Sequence, residues 1–202
     1  MVLVACGVLA PQLALAAFPA LTELEWQRVM AGERVAHKQS RELGGMTLFG
    51  GTAWQRVDAP ADVVWDVVAR PDQYLHLLPF AIEVNQLSES EVVLRHRVAV
   101  GEVSYQLRFS YDPGRRLLKF SVPAGSQGDV RAGFGELQVR ALDASSCVVA
   151  WTVFAKPDLG IVGSLFRGLV QRTMLEVPTR IRRYIARQRS AHPPSQVALA
   201  RD

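Results

Sequence analysis

Cysteine is scarce: Cys6 and Cys147 are the only two in 202 residues, so no disulfide framework holds the chain. If the apolar N-terminal leader is removed, Cys147 is unpaired, and a lone thiol in an apolar segment reads as a small core residue. Histidine is nearly as rare. His37, His76, His96 and His192 lack metal-ligand spacing, which argues against a zinc site, and nothing in the chain implies a cofactor. No obvious catalytic motif, internal repeat or second-domain linker is present, and the length is about one domain's worth. Charged residues make up 21% and hydrophobic ones 49%, the composition of a globular protein and not of a disordered one. The net charge of +4 gives no footing for a nucleic-acid partner.

The N-terminus has no charge before Glu23. Met1 to Ala17 is too short to span a bilayer and matches the apolar region of a signal peptide. Ala14-Leu15-Ala16 supplies small residues for cleavage after Ala16, so residues 1–16 are expected to be a leader and the protein to be exported, periplasmic or secreted. The missing positive region ahead of it implies a natural start further upstream. Leu3-Val4-Ala5-Cys6 also resembles a lipobox with Cys6 as the lipidated residue, although the apolar residues that follow do not look like a lipoprotein tether.

What is present is periodicity. Val162, Leu165, Phe166, Leu169, Thr173, Met174, Val177, Ile181, Tyr184 and Ile185 recur at steps of three and four, which predicts one long helix from about Ile161 to Gln188. Pro178 should kink it near Met174. From Lys156 to Arg189 eight Lys and Arg stand against Asp158 and Glu176, a net of +6. That basic face suggests an anionic membrane surface as a partner, through Arg180, Arg182 and Arg183. Equally, long Arg stems can simply cover a helix flank.

Ahead of that helix the chain reads as strands. Leu21 to Ala31 is a short amphipathic helix, which places an N-terminal helical segment over residues 17–32. Glu33 to Arg41 and Met46 to Val57 read as strands, the second with a bulge or kink at Gly50-Gly51. Asp58-Ala59-Pro60-Ala61-Asp62 starts a helix whose buried side is Val63, Val64, Trp65, Val67 and Val68. A shorter helix follows through Tyr74, Leu75 and Leu78. Further strands run over Phe80 to Leu87, Glu91 to Val100, Glu102 to Tyr111, Arg116 to Pro123, Val130 to Leu142 and Cys147 to Ala155. The alternation Val103, Tyr105, Leu107, Phe109, Tyr111 is the cleanest period-two signal. The tail over residues 190–202, with Pro193-Pro194, reads as disordered.

Val57-Asp58-Ala59-Pro60-Ala61-Asp62-Val63-Val64-Trp65 resembles the START-like (SRPBCC) superfamily of polyketide-cyclase, coenzyme-Q-binding and birch-allergen-like proteins. There a strand ends in an aspartate–alanine–proline turn, followed by a helix that begins with a valine–tryptophan pair. Tyr74 to Pro79, Gly133-Phe134-Gly135 and the long final helix also fit, so the resemblance spans about Glu33 to Gln188. It implies an α+β helix-grip domain over residues 33–189: a curved antiparallel sheet of about seven strands wrapped around a long C-terminal helix, with a cavity between them. Such proteins generally bind lipids, sterols, quinones or polyketides, and a minority catalyse reactions.

In that frame the apolar strand faces would line the cavity with Leu94, His96 and Val98, with Tyr105, Leu107 and Phe109, and with Leu118 and Phe120. Met174 and Val177 would supply the helix side. Each of these side chains is equally consistent with a filled core. Trp54, Trp65 and Trp151 read as core. His96 stands out because its alternate neighbours are apolar; it suits orienting a ligand oxygen, acid–base work, or a hydrogen-bonded core position. The expected function is binding or transport of a hydrophobic small molecule or lipid, with no catalytic residue assigned. The alternative is a polyketide cyclase or dehydratase using His96 and Tyr105.

Overall fold

The computed structural model describes residues 21–98, 101–158 and 163–191. The leader over residues 1–16, Cys6 and the tail beyond residue 191 lie outside the described residues. Ser190 and Ala191, expected in the tail, close the last turn of a helix.

Among the described residues eight strands form one sheet: β1 (Val35–Leu43), β2 (Met46–Val57), β3 (Ala81–Gln86), β4 (Glu91–Val98), β5 (Gly101–Asp112), β6 (Leu117–Ser121), β7 (Val130–Ala141) and β8 (Cys147–Pro157). Every adjacent pair is antiparallel, in the order β1-β2-β8-β7-β6-β5-β4-β3. The sheet thus has one strand more than the family resemblance implies. Its polar edge strand β1 pairs along its whole length with β2, from Val35 opposite Trp54 to Leu43 opposite Met46. The expected bulge at Gly50-Gly51 is absent, since both pairings of β2 pass through it without a shift. These glycines answer a different demand, close backbone approach. A Cβ at Gly50 would lie 1.8 Å from the Val153 carbonyl oxygen, and one at Gly51 would lie 1.9 Å from that of His37.

The alternation of β2 and β8 sends side chains to two cores. Ala53, Val57, Cys147, Val149, Trp151 and Val153 join the main one, while Trp54, Val148 and Ala150 join a second on the opposite face. Helix α1 (Glu23–Met30) covers the second core with Val29, itself fully buried. A capping box between Thr22 and Glu25 starts α1, and Glu25 Oε1 lies 2.7 Å from His37 Nε2 on β1.

Between β2 and β3 the chain crosses the main core as α2 (Ala61–Val68) and α3 (Tyr74–Leu77). Ala61, Val64, Trp65 and Val68, at i, i+3, i+4 and i+7, are the buried side of α2. Val63, expected among them, points away and is 44% exposed.

The long C-terminal rod is two helices, α4 (Gly163–Met174) and α5 (Val177–Ala191). Pro178 has no N–H, so the Met174 carbonyl four residues back loses its helical partner. The indole N–H of Trp151 donates to that carbonyl at 2.8 Å, and Arg34 donates to the next one, Leu175, at 3.2 Å. Each side of this break is held separately. Gln171 on α4 donates to the Gly50 carbonyl at 2.7 Å, while α5 buries Val177, Pro178, Ile181 and Ile185.

Candidate functional site

The two halves of the rod meet the sheet differently. Ile181 and Ile185 are almost wholly buried, whereas Leu169 on α4 is 56% exposed. Under α5 the sheet is filled by α2, α3 and the helix itself. Under α4 it is not, and a cavity of about 360 Å³ remains between α4, the start of α5 and the concave side of the sheet. That volume lies at the lower end of the roughly 300–1,000 Å³ usual for ligand pockets.

Seven of the ten residues expected at the cavity line it: His96 and Val98 from β4, Tyr105 and Leu107 from β5, Phe120 from β6, and Met174 and Val177 from the helix break. The other three sit elsewhere. Leu94 is completely buried in the main core. Phe109 and Leu118 border a second void of about 30 Å³, lined also by Tyr74, Leu77 and Ile181. Alternation along each strand gives the correct face, but the sheet is covered unevenly along its length.

Several lining residues carry no mark in the sequence that separates them from core. Trp151, which reads as core, stacks on Phe120 with ring centroids 4.9 Å apart and also lines the cavity. Val153 continues its face. Val170 and Thr173 enter from α4, Thr173 being on the apolar helical stripe. Phe80 stands at the edge of the cavity with φ of +59°, 53% exposed, and the guanidinium of Arg180 lies 5.9 Å from its ring centroid. No sequence signal marks that backbone conformation, which a bulky residue adopts only where its surroundings hold it there.

Among the described lining residues, beside Thr173 and Arg97, the polar feature of the wall is a hydrogen-bonded pair. His96 Nδ1 lies 2.8 Å from the Pro79 carbonyl oxygen, and Nε2 lies 2.9 Å from Tyr105 Oη. Cross-strand register explains the meeting: His96 pairs with Val103 and Leu94 with Tyr105, so both side chains share one face two residues apart. Burial lowers the pKa of His96, partly opposed by its bond to the Pro79 carbonyl. Burial likewise raises that of the Tyr105 phenol. Both groups are therefore neutral near pH 7. Among the described residues no cluster of side chains is arranged to hold a metal ion.

The expected basic face is divided. Arg182 is partly buried and donates to the Gly32 carbonyl at 2.8 Å, Arg180 lies over Phe80, and Arg183 is exposed. Two of the three arginines expected to meet a membrane are thus engaged in contacts within the fold, Arg182 because α5 lies beside the turn that follows α1 and Arg180 because it reaches Phe80 ahead of β3.

Eight antiparallel strands curved over C-terminal helices, with a cavity between, define a helix-grip protein. A sequence profile described as polyketide cyclase / dehydrase and lipid transport matches residues 51–183, and the chain belongs to that family. Its fold is similar to that of the ZhuI aromatase/cyclase from Streptomyces sp. R1128, at TM-score 0.59 and 22% identity over 76% of this chain and 96% of the other. It also resembles a START superfamily protein from Mycobacterium smegmatis, at TM-score 0.58 and 14% identity over 68% and 97% of the two chains. A third similar structure is a protein of Thermus thermophilus, at TM-score 0.59 and 16% identity over 68% and 97%. No curated protein matches the chain in sequence.

Proposed function

We propose that the protein binds, and carries, a hydrophobic small molecule or lipid in the cavity beneath α4. The observation that carries this is a space of about 360 Å³ whose lining is apolar apart from a few groups, chiefly a His96–Tyr105 pair already bonded to each other. A carrier needs volume, an apolar wall and few fixed polar contacts, and these are the features found. Leu169 and Phe80, both more than half exposed, give such a ligand an apolar way in beside α4.

Native mass spectrometry of the protein purified from its own source tests this: a co-purifying lipid or other hydrophobic adduct is expected. Val153→Trp, which fills the cavity from β8, should remove the adduct. An adduct retained by a folded Val153→Trp protein would place the ligand elsewhere, and a parent with none that also fails to take up Nile red would refute the proposal.

The family's cyclase side supplies a second reading, in which the same His96–Tyr105 pair would have to open its internal hydrogen bond before the phenol could give a proton to a bound polyketide. It requires further polar groups to converge on the reacting atoms, and among the described lining residues only Thr173 and Arg97 join the pair. Cyclisation of a poly-β-ketone probe by the parent and not by His96→Ala would establish the enzyme over the carrier.

A further inference from the structure

The polar pair in the cavity wall has a direction. A carbonyl oxygen can only accept, so the His96 Nδ1 that lies 2.8 Å from the Pro79 oxygen carries the proton. A neutral imidazole has a single N–H, and its other nitrogen then holds a lone pair. Tyr105 Oη, 2.9 Å from that nitrogen, must therefore be the donor. The phenol's one proton is committed within the pair, and only its lone pairs are left to face a neighbour. At this point the cavity accepts hydrogen bonds and does not donate them.

The other lining groups do not change that sign. Thr173 carries a hydroxyl that can turn either way, so it serves a donor or an acceptor equally. Arg97, the one formally cationic side chain among the described lining residues, donates to Glu102 at 2.8 Å. An entering carboxylate would lose its hydration and, among the described lining residues, meet no cation that is not already paired, since Arg180 stands over Phe80 at the edge and is not itself in the lining; the exchange is costly. An entering ketone or ether could be served by Tyr105 only if the phenol turned away from His96, leaving Nε2 without its donor.

We propose that the cavity selects neutral, largely apolar molecules bearing a hydrogen-bond donor, an alcohol or a phenol, over the matched ether, ketone or carboxylate. Tyr105 Oη is the acceptor, and His96 is the positioning residue that holds the phenol's proton away from the ligand. This rests on the ligand-binding function proposed above and narrows its ligand class.

Calorimetric titration of the full chain with 1-naphthol, 1-methoxynaphthalene and 1-naphthoate separates the two. The ratio of naphthol to methoxynaphthalene affinity should be about two- to tenfold higher in the parent than in Tyr105→Phe, which removes the acceptor and keeps the ring. Naphthoate should bind weakest. In His96→Leu the freed phenol proton can turn to the ligand, so methoxynaphthalene should gain on naphthol. If Tyr105→Phe does not fold, the parent's ratio corrected for the octanol partition of the two probes makes the same comparison. Equal ratios in parent and Tyr105→Phe, or a parent that prefers naphthoate, would overturn the selectivity while leaving hydrophobic binding intact. A parent that binds none of the three probes would overturn both.

Discussion

Trp151 donates its indole N–H to the Met174 carbonyl at 2.8 Å, the carbonyl that Pro178 leaves without a helical partner. A residue in the middle of the sheet thereby stabilises the break that separates α4 from α5. The same ring stacks on Phe120 and forms part of the cavity wall, so the helix break and the binding space share one side chain.

Trp151→Phe keeps an aromatic ring against Phe120 but orphans the Met174 carbonyl. A loss of about 1–3 kcal/mol in urea unfolding is expected. Faster amide exchange in α4 than in α5 should accompany it. A variant as stable as the parent would mean that the Trp151 bond contributes nothing net to holding the break.

His96→Ala removes a ring that bonds both Pro79 and Tyr105 and leaves a small void. The expected cost is about 1–3 kcal/mol, read by chemical denaturation. Ligand binding should weaken as well, because the same ring lines the cavity. A variant that loses stability but binds its adduct unchanged would make His96 a core residue only.

Gly50→Ala drives a methyl group into the Val153 carbonyl, where a Cβ would lie 1.8 Å from the oxygen. Backbone on a central strand cannot move aside as a side chain can. The expected cost is about 3 kcal/mol or more, at the severe end of single substitutions. Insoluble or molten protein is the outcome anticipated, and a melting temperature within a few degrees of the parent would contradict the close approach.

Glu25 gives a pH signature. Hydrogen bonds from the Thr22 backbone, His37 and the Thr22 hydroxyl hold its carboxylate down to about 2, from an ordinary 4.5. A lowered folded pKa means that the unfolded chain binds the proton more tightly. Its stabilising contribution is therefore complete above about pH 4.5 and is lost as pH falls toward 2. The docking of α1 should loosen over that interval, visible as faster proteolysis ahead of β1 or as reduced Trp26 and Trp54 shielding. Glu25→Gln should flatten the response, and an unchanged pH profile in that variant would assign the effect to other carboxylates.

Much of this architecture was legible along the chain because it follows from local periodicity. Alternation in Val103–Tyr111 and the three–four spacing of Leu169, Thr173, Met174, Val177 and Ile181 specify which side of each element turns inward, whatever lies opposite. Proline chemistry located the helix break, since Pro178 lacks a donor in any context. Other features depended on partners distant in sequence. Whether an inward residue is core or cavity wall turns on how closely another element covers it, so Leu94 and His96, two positions apart on β4, part company. The pairing of His96 with Tyr105, the conversion of Arg182 from surface charge to anchor of the Gly32 carbonyl, and the use of Gly50 for strand contact in place of a bulge arise in the same way. Each requires two segments brought together by the sheet, and no periodicity within either segment encodes that meeting.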